Sequence, residues 1–339
     1  MSYKNESCAA IVFTEPNNVA VIEQAFPSIK KGTILVKSVK SLISTGTELT
    51  ILKGNYTNDS AWGKYGKFPF YPGYNNIGIV VDVADDVDKN WIGKKVASYS
   101  PHMSYVLLNP SQVRVINQEI SDEEAAFFTI SEIVMNGIRR GKVTWGECIV
   151  VYGLGLLGQL VVRLCHFLGA RPVIGVDVSD YRLNLLPKTQ GIIGVNPNKE
   201  NLTSFLSKNT NGRMADVVFE VTGNPKIIPQ EFSVLKDQGR FVVLSSPSGA
   251  TVNFDFHDLC NSPSFTIIGA HNNSHPQYET PYNPWTQKRH AELFFNLISS
   301  GELDLTSLIS YRVSYLKAPE IYRKLQKNRI NTMGIIIEW

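Results

Sequence analysis

Cysteine is scarce in this chain of 339 residues: Cys8, Cys148, Cys165 and Cys260 are the whole set, with no CxxC pair and no regular spacing. That excludes a disulfide-stapled scaffold and the common cysteine-rich zinc folds, and points to free thiols in a reducing cytoplasm. Net charge is also small, +3 at neutral pH. Without a block of like charge there is no electrostatic footprint for nucleic acid, and no low-complexity tract appears. The opening MSYKNESCAA lacks the apolar core of a leader segment, so no export signal is expected. No membrane span is expected either, since the longest apolar stretch, 148–168, is broken by glycines, Gln159 and Arg163. What remains, 43% hydrophobic and 19% charged residues, suits a globular protein of one or two domains.

The most informative stretch is CIVVYGLGLLGQLVVRLCHFLGARPVIGVD, residues 148–177. A short β-branched run, 148–152, reads as a strand buried on both faces of a parallel sheet. Gly153, Gly155 and Gly158 then give G-x-G-x-x-G: one glycine for the sharp turn, one for approach to a pyrophosphate, one for close helix–strand packing. With Leu156 and Leu157 they form the helix N-terminus on which phosphate would rest. The helix 156–168 ends at Gly169, and a second strand, 172–176, ends in Asp177, 19 residues beyond Gly158. A carboxylate there accepts hydrogen bonds from the adenine ribose and repels a 2′-phosphate, which favours NAD over NADP. Arg182 could cover the adenine. Thr222, Gly223, Ser245 and Ser246 end later strands of the same pattern, where ligands of such sheets bind.

Around this stretch the chain divides. Residues 1 to about 120 read as short strands at 9–14, 19–24, 33–42, 77–85, 95–99 and 104–108, with a short helix at 47–53 and an aromatic, glycine- and proline-rich loop at 62–73. The SDEE of 121–124 starts a helix. After Asp177, helices at 182–190, 202–209 and 229–236 alternate with strands at 192–195, 216–221, 240–245 and 265–269, which implies a doubly wound parallel sheet. A polar, aromatic loop at 270–285 precedes helices at 286–300 and 318–327 and a strand at 334–339. With the parallel sheet complete, this tail is expected to return to the first domain, giving 1–122 with 271–339 and a dinucleotide domain of 123–270. The ligand cleft is expected between the two. The 265–269 strand would lie at a sheet edge, so a homodimer or homotetramer is expected.

Several segments carry a family resemblance. GTEL (46–49), FYPGYNNIGIV (70–80), the glycine turn GLGLLG, and GELDLTSLISYRV followed by a helix and MGIIIEW resemble the medium-chain dehydrogenase/reductase superfamily over nearly the whole length. The resemblance implies an α/β fold, a Rossmann doubly wound parallel sheet plus a GroES-like β-rich catalytic domain. It also implies a nicotinamide cofactor. STGTEL and NPWTQKRH are similar to a zinc-lacking group that includes glycoside 3-dehydrogenases and, more distantly, bacteriochlorophyllide dehydrogenases.

The departures from the superfamily pattern matter as much. Where zinc-dependent members carry cysteine, histidine and glutamate ligands, this chain has Thr45, Tyr74 with Asn75, and Thr129, and 95–106 lacks the cysteines of the structural zinc lobe. No metal is therefore expected.

Oxidising a secondary alcohol without zinc requires a protein group to take the hydroxyl proton. By resemblance Thr47 is the relay hydroxyl and Glu48 its neighbouring carboxylate, unless Glu48 pairs with an arginine behind the site. Tyr74 replaces a histidine ligand and would face the substrate, and His102 is a further titrating candidate. Trp62, His271, Asn272, His275, Trp285 and Arg289 could supply hydrogen bonds and a stacking face for a polyhydroxylated small molecule. The expected activity is zinc-independent, NAD-dependent interconversion of a secondary alcohol and a ketone on a sugar, glycoside or cyclitol. Two alternatives stay open: a quinone or enoyl reductase, and a dinucleotide-binding protein without turnover.

Overall fold

The computed structural model describes residues 7–339; the first six residues, on which the expectation of no export signal partly falls, lie outside the described range. Two compact units emerge, 1–129 with 291–339, and 130–290. Among the described residues no helix is long and apolar enough to cross a membrane.

The first unit is built on antiparallel pairing. Strands β1 (Cys8–Glu15) and β2 (Asn18–Gln24) form a two-stranded sheet. The larger sheet has the order β14–β15–β3–β4–β5–β7, with β6 also on β3. Its members are β3 (Ile34–Leu42), β4 (Asn76–Val83), β5 (Lys95–Ser98), β6 (Tyr105–Leu108), β7 (Val113–Val115), β14 (Ile309–Ser314) and β15 (Gly334–Glu338). The chain's end thus returns to this unit through β15, which runs antiparallel to β3. Strands β7 and β14 were not foreseen: β7 is only three residues long, and β14 pairs parallel to β15, a non-local partner that local pattern does not reveal. The core gathers Ile11, Phe13, Ile43, Leu49, Leu52, Tyr322 and Ile335, packing helices α1 (Thr45–Lys53) and α10 (Ala318–Lys327) together with the strands. The aromatic loop holds a short helix, α2 (Ala61–Tyr65), because Ser60 accepts the Gly63 N–H as an N-cap.

In the second unit six parallel strands take the order β10–β9–β8–β11–β12–β13. They are β8 (Ile149–Tyr152), β9 (Val173–Val176), β10 (Ile192–Val195), β11 (Ala215–Glu220), β12 (Leu235–Val243) and β13 (Thr266–Gly269). Counted from β8 the order is 3-2-1-4-5-6, so the strand order reverses between β8 and β11, the place where such sheets bind ligands. Helices α4 (Phe128–Arg140), α5 (Leu156–Phe167), α6 (Asp180–Asn184), α7 (Leu202–Asn209) and α8 (Ile228–Glu231) accompany these strands, α9 (Gln287–Ser299) follows them in the chain, and α3 (Asp122–Ala125), in the first unit, starts on the Ser121 cap as read.

Two helices are shorter than their patterns suggest. The one expected to reach Gln190 is α6 alone, since Pro187 cannot continue it; the one expected to reach Lys236 stops as α8 and a single 3-10 turn, and Leu235 already opens β12. Residues 271–290, assigned by sequence to the first domain, group with the second unit, where Asn136 of α4 donates to Ser274 Oγ (2.8 Å) and His290 anchors the loop.

Candidate functional site

The first unit concentrates polar chemistry at the start of α1. Ser44 precedes the helix, yet its hydroxyl does not cap it; it bonds instead to the Tyr74 hydroxyl. Tyr74 OH also donates to Thr47 Oγ1 at 3.3 Å, and the Tyr74 carbonyl accepts from Thr129 Oγ1 at 2.8 Å. Burial pushes the Tyr74 phenol up to about 12; the Ser44 and Thr47 hydrogen bonds oppose this, and the Glu48 charge adds to it. Tyr74 is therefore a neutral hydroxyl at physiological pH. Gly73 sets its place: with φ +102° and a missing Cβ that would fall 2.9 Å from the His102 ring and backbone, it lets the 72–74 turn lie against His102.

Glu48 sits one turn into α1 and is 1% exposed. One oxygen accepts the Ser44 N–H (2.7 Å), and the other accepts from the Tyr322 hydroxyl and faces His102 Nε2 at 3.3 Å without hydrogen-bond alignment. The arginine considered as its partner is replaced by this tyrosine and histidine. His102 is fully buried, its Nδ1 paired with Ser41 Oγ (2.8 Å), which also accepts from Trp339 Nε1 (2.9 Å). Nothing local points to Tyr322, Ser41 or Trp339 as partners of this cluster, since they come from the returning tail and from mid-strand.

Of the positions that hold zinc ligands in zinc-dependent relatives, Tyr74 and Thr129 are engaged as described, and Asn75 is buried with Nδ2 on the Leu42 carbonyl (3.1 Å). Hydroxyls and an amide are poor matches for a zinc ion, which takes thiolate, imidazole or carboxylate. Among the described residues no cluster of three or more His, Cys, Asp or Glu could hold a metal. Trp62 lies half-buried on α2 against the hydrophobic core of its unit rather than offering a free ring face.

In the second unit the glycine turn has the geometry its spacing implies. Gly153 has φ +92°, and a Cβ on Gly158 would sit 1.8 Å from the Gly153 carbonyl oxygen, so the turn closes only with glycine there. A Cβ on Gly155 would meet nothing: the space over the start of α5 is open, as an approaching pyrophosphate requires. Leu156 is buried and Leu157 half-buried in the first turn of α5. Asp177 accepts the N–H groups of Leu154 and Ser179, both at 2.8 Å, and lies 3.4 Å from Arg182 Nη1. Gln159, fully buried in α5, donates to the Arg182 carbonyl (2.8 Å) and accepts from Arg163 (2.6 Å), fixing the turn that carries Arg182.

Glu220, at the end of β11, is the residue sequence reasoning missed here. Its carboxylate accepts from Thr222 N and Oγ1, from Gly223 N and from Ser245 Oγ, so it stitches the ends of β11 and β12 together. Ser246 is exposed beside them.

The 271–290 loop brings several candidates together and parts others. The exposed His271 caps its own turn, Nδ1 accepting the Asn273 N–H (3.2 Å). The Asn272 carbonyl is 2.8 Å from His275 Nδ1, and His275 Nε2 is 2.9 Å from His290 Nδ1. Trp285, expected to offer a stacking face to substrate, already carries the Arg139 guanidinium 3.3 Å and that of Arg289 4.4 Å from its ring centroid, with His290 stacked at 5.4 Å. Arg139 and His290 are given no role from sequence: Arg139 lies in no motif, and His290, though it ends NPWTQKRH, has no assigned chemistry there.

Residues 157–288 match the zinc-binding dehydrogenase family. The chain is 26% identical over 264 residues to D-guloside 3-dehydrogenase of Shigella flexneri, covering 76% of this chain and 74% of that protein. It is 22% identical over 304 residues to erythritol/L-threitol dehydrogenase of Mycolicibacterium smegmatis, covering 78% and 83%. The crystal structure of 2R,3R-butanediol dehydrogenase from Bacillus subtilis superposes with a TM-score of 0.81 at 19% identity, over 98% of this chain and 100% of that one. The Rossmann sheet with its glycine turn and the β-rich unit closed by the returning tail share the fold of that dehydrogenase, and residues 157–288 carry the match to the zinc-binding dehydrogenase family.

Proposed function

We propose that this protein interconverts a secondary hydroxyl and a ketone on a polyhydroxylated small molecule, using NAD and no zinc. The observation that carries the reading is the hydroxyl network of Ser44, Thr47 and Tyr74, in which Tyr74 stands where the resemblance expects a histidine ligand to zinc and Thr47 where it expects the relay hydroxyl. The curated relatives, named for acting on a guloside and on four-carbon polyols, support the substrate class.

The nicotinamide, when bound, accepts or gives the hydride. The chain's own residues supply the rest. The open N-terminus of α5 receives the pyrophosphate, and the Asp177 carboxylate, held by Leu154, Ser179 and Arg182, accepts from the ribose hydroxyls and disfavours a 2′-phosphate. Arg182 lies beside that carboxylate, at the adenosine end, and Thr222 and Ser245 are held by Glu220 at the strand ends.

On the first unit Tyr74 holds its own proton at neutral pH, so it serves as a relay rather than a tyrosinate base. It takes the substrate hydroxyl's proton as it passes its own to Ser44 or Thr47, whose hydroxyl gives up its own proton to water in the same relay. Glu48 and His102, buried behind this network, position α1 and do not touch substrate. The edge strand β13 is proposed to pair with a second copy; a monomeric mass in solution would refute that.

The test is NADH formation by chelator-treated protein on a panel of sugars, glycosides and cyclitols, with NADP in parallel. Activity that survives chelation, prefers NAD and falls in Tyr74→Phe supports the reading. Silence on polyols with NADPH consumed by enones or quinones favours the reductase alternative; tight NADH binding with neither reaction favours a protein without turnover.

A further inference from the structure

Ser41, near the end of β3, is fully buried, and its hydroxyl has two partners among the described residues, Trp339 Nε1 at 2.9 Å and His102 Nδ1 at 2.8 Å. The register of β15 on β3 sets Ile337 opposite Ser41. Trp339 therefore stands diagonally across from Ser41 on the same face, within reach of a long aromatic side chain. Stacking on Tyr315, with centroids 5.3 Å apart and planes 6° from parallel, fixes the indole, and the Trp339 backbone N–H donates to the Val39 carbonyl at 3.3 Å.

Donor and acceptor roles in this chain follow by counting. An indole N–H can only donate, so Ser41 Oγ gives one lone pair to Trp339. The single hydroxyl proton then has one acceptor in reach, His102 Nδ1. Were Nδ1 protonated too, Ser41 would accept twice and leave its own proton unbonded in a buried place. The far side of the ring selects the same tautomer independently. Nε2 lies 3.3 Å from a Glu48 carboxylate oxygen and has to carry a proton, since a lone pair there would face another. His102 is thus a neutral imidazole with its proton on Nε2, and the donors point one way, from Trp339 through Ser41 and His102 toward Glu48.

Glu48, which also accepts from Ser44 N–H and the Tyr322 hydroxyl, keeps its negative charge because no imidazolium cancels it. The other ionisable groups around the pair are the phenols of Tyr322 on α10, Tyr74 on the 72–74 turn and Tyr65 on α2. Burial above all, with the Glu48 charge adding, holds each of them above the ordinary phenol range and so protonated.

We infer that Trp339 and Ser41 are positioning residues of the alcohol-oxidation site: they hold His102 neutral with its proton turned to Glu48, so that the carboxylate bracing Ser44 and its hydroxyl network keeps its charge. As a statement about catalysis this rests on the proposed reaction. As a statement about His102 it stands without turnover.

Trp339→Phe keeps a ring against Tyr315 and removes the N–H. Position 339 is half-buried, so water can then take the Ser41 proton, Ser41 can accept from Nδ1, and His102 can pair with Glu48 as an imidazolium. Nitrogen NMR of the intact protein labelled in its histidine rings reads this directly, the His102 signals being those lost in His102→Gln. The parent is expected to show Nε2 protonated and Nδ1 bare at neutral pH. In Trp339→Phe, protonation of Nδ1 should set in about one pH unit higher than in the parent, the worth of one buried hydrogen bond. The acid-side fall of kcat on a polyol should move by the same amount with KM little changed, and the move should vanish in the Trp339→Phe, His102→Gln double variant. If Trp339→Phe does not fold, Trp339→Leu, which also lacks the N–H, takes its place, and the parent's spectrum alone decides the tautomer.

A protonated Nδ1 in the parent, or spectra alike in parent and variant, overturns the inference. The expected spectra with an unmoved kcat profile remove Trp339 and Ser41 from catalysis. The expected spectra in a protein silent on every alcohol overturn the reaction and leave the state of His102 standing.

Discussion

Tyr322 and Glu48, 274 residues apart in sequence, meet in a fully buried hydrogen bond that ties α10 to the first turn of α1. Burial and the Glu48 charge hold the Tyr322 proton in place, its pKa well above that of a free phenol. Glu48 in turn braces Ser44, and Ser44 braces Tyr74.

Tyr322→Phe strips a hydrogen bond from a carboxylate that cannot reach water. A loss of about 1–3 kcal/mol in stability is expected from urea denaturation, since an unsatisfied buried charge retains its desolvation cost. In the proposed relay Glu48 positions rather than reacts, so kcat should fall less in this variant than in Tyr74→Phe. An equal fall in both would place Glu48 in the chemistry.

Glu231, fully buried with both oxygens unpartnered, is raised from 4.5 to about 9 by burial and by the Glu220 charge. Below pH 4.5 both folded and unfolded chains carry its proton. Between 4.5 and about 9 only the folded chain does, so stability falls as pH rises, by up to about 1.4 kcal/mol per unit from this group. Glu231→Gln should unfold at a higher Tm than the parent at pH 8 and with a flatter pH dependence; an identical profile in the two proteins would show that the group ionises freely.

Gly155 and Gly158 should respond differently to alanine. A Cβ at 158 strikes the Gly153 carbonyl, so Gly158→Ala is expected to lower stability and abolish NADH binding together. At 155 the added carbon meets open space, so Gly155→Ala should fold normally and weaken NADH binding alone, as titrated by nicotinamide fluorescence.

The proposed preference for NAD rests on Asp177, just past the end of β9 and beside the glycine turn. Asp177→Ala should narrow the ratio of NAD to NADP efficiency about tenfold or more, with part of the loss arising from the freed Leu154 and Ser179 N–H groups. An unchanged ratio would reassign cofactor choice to other residues.

Local signals made most of the fold legible. Glycine spacing marked the turn at 153–158, Ser121 marked α3, and β-branched alternation marked β1 to β6 within a residue or two. The site was legible only where a motif supplied it. Glu48 was visible as a neighbour of Thr47, but its partners Tyr322 and His102 come from distant segments that nothing local connects to it. Arg139 likewise reads as an ordinary basic residue near a helix end, and only folding shows it stacked on Trp285 and bonded to His290.

The most direct measurement is NADH formation from a secondary polyol by the chelator-treated protein and its Tyr74→Phe variant. The hydroxyl network requires full activity of the parent after chelation and a loss of about a hundredfold in kcat for the variant, with NADH binding unchanged. Activity that disappears on chelation and returns with zinc, or a variant as active as its parent, would contradict it.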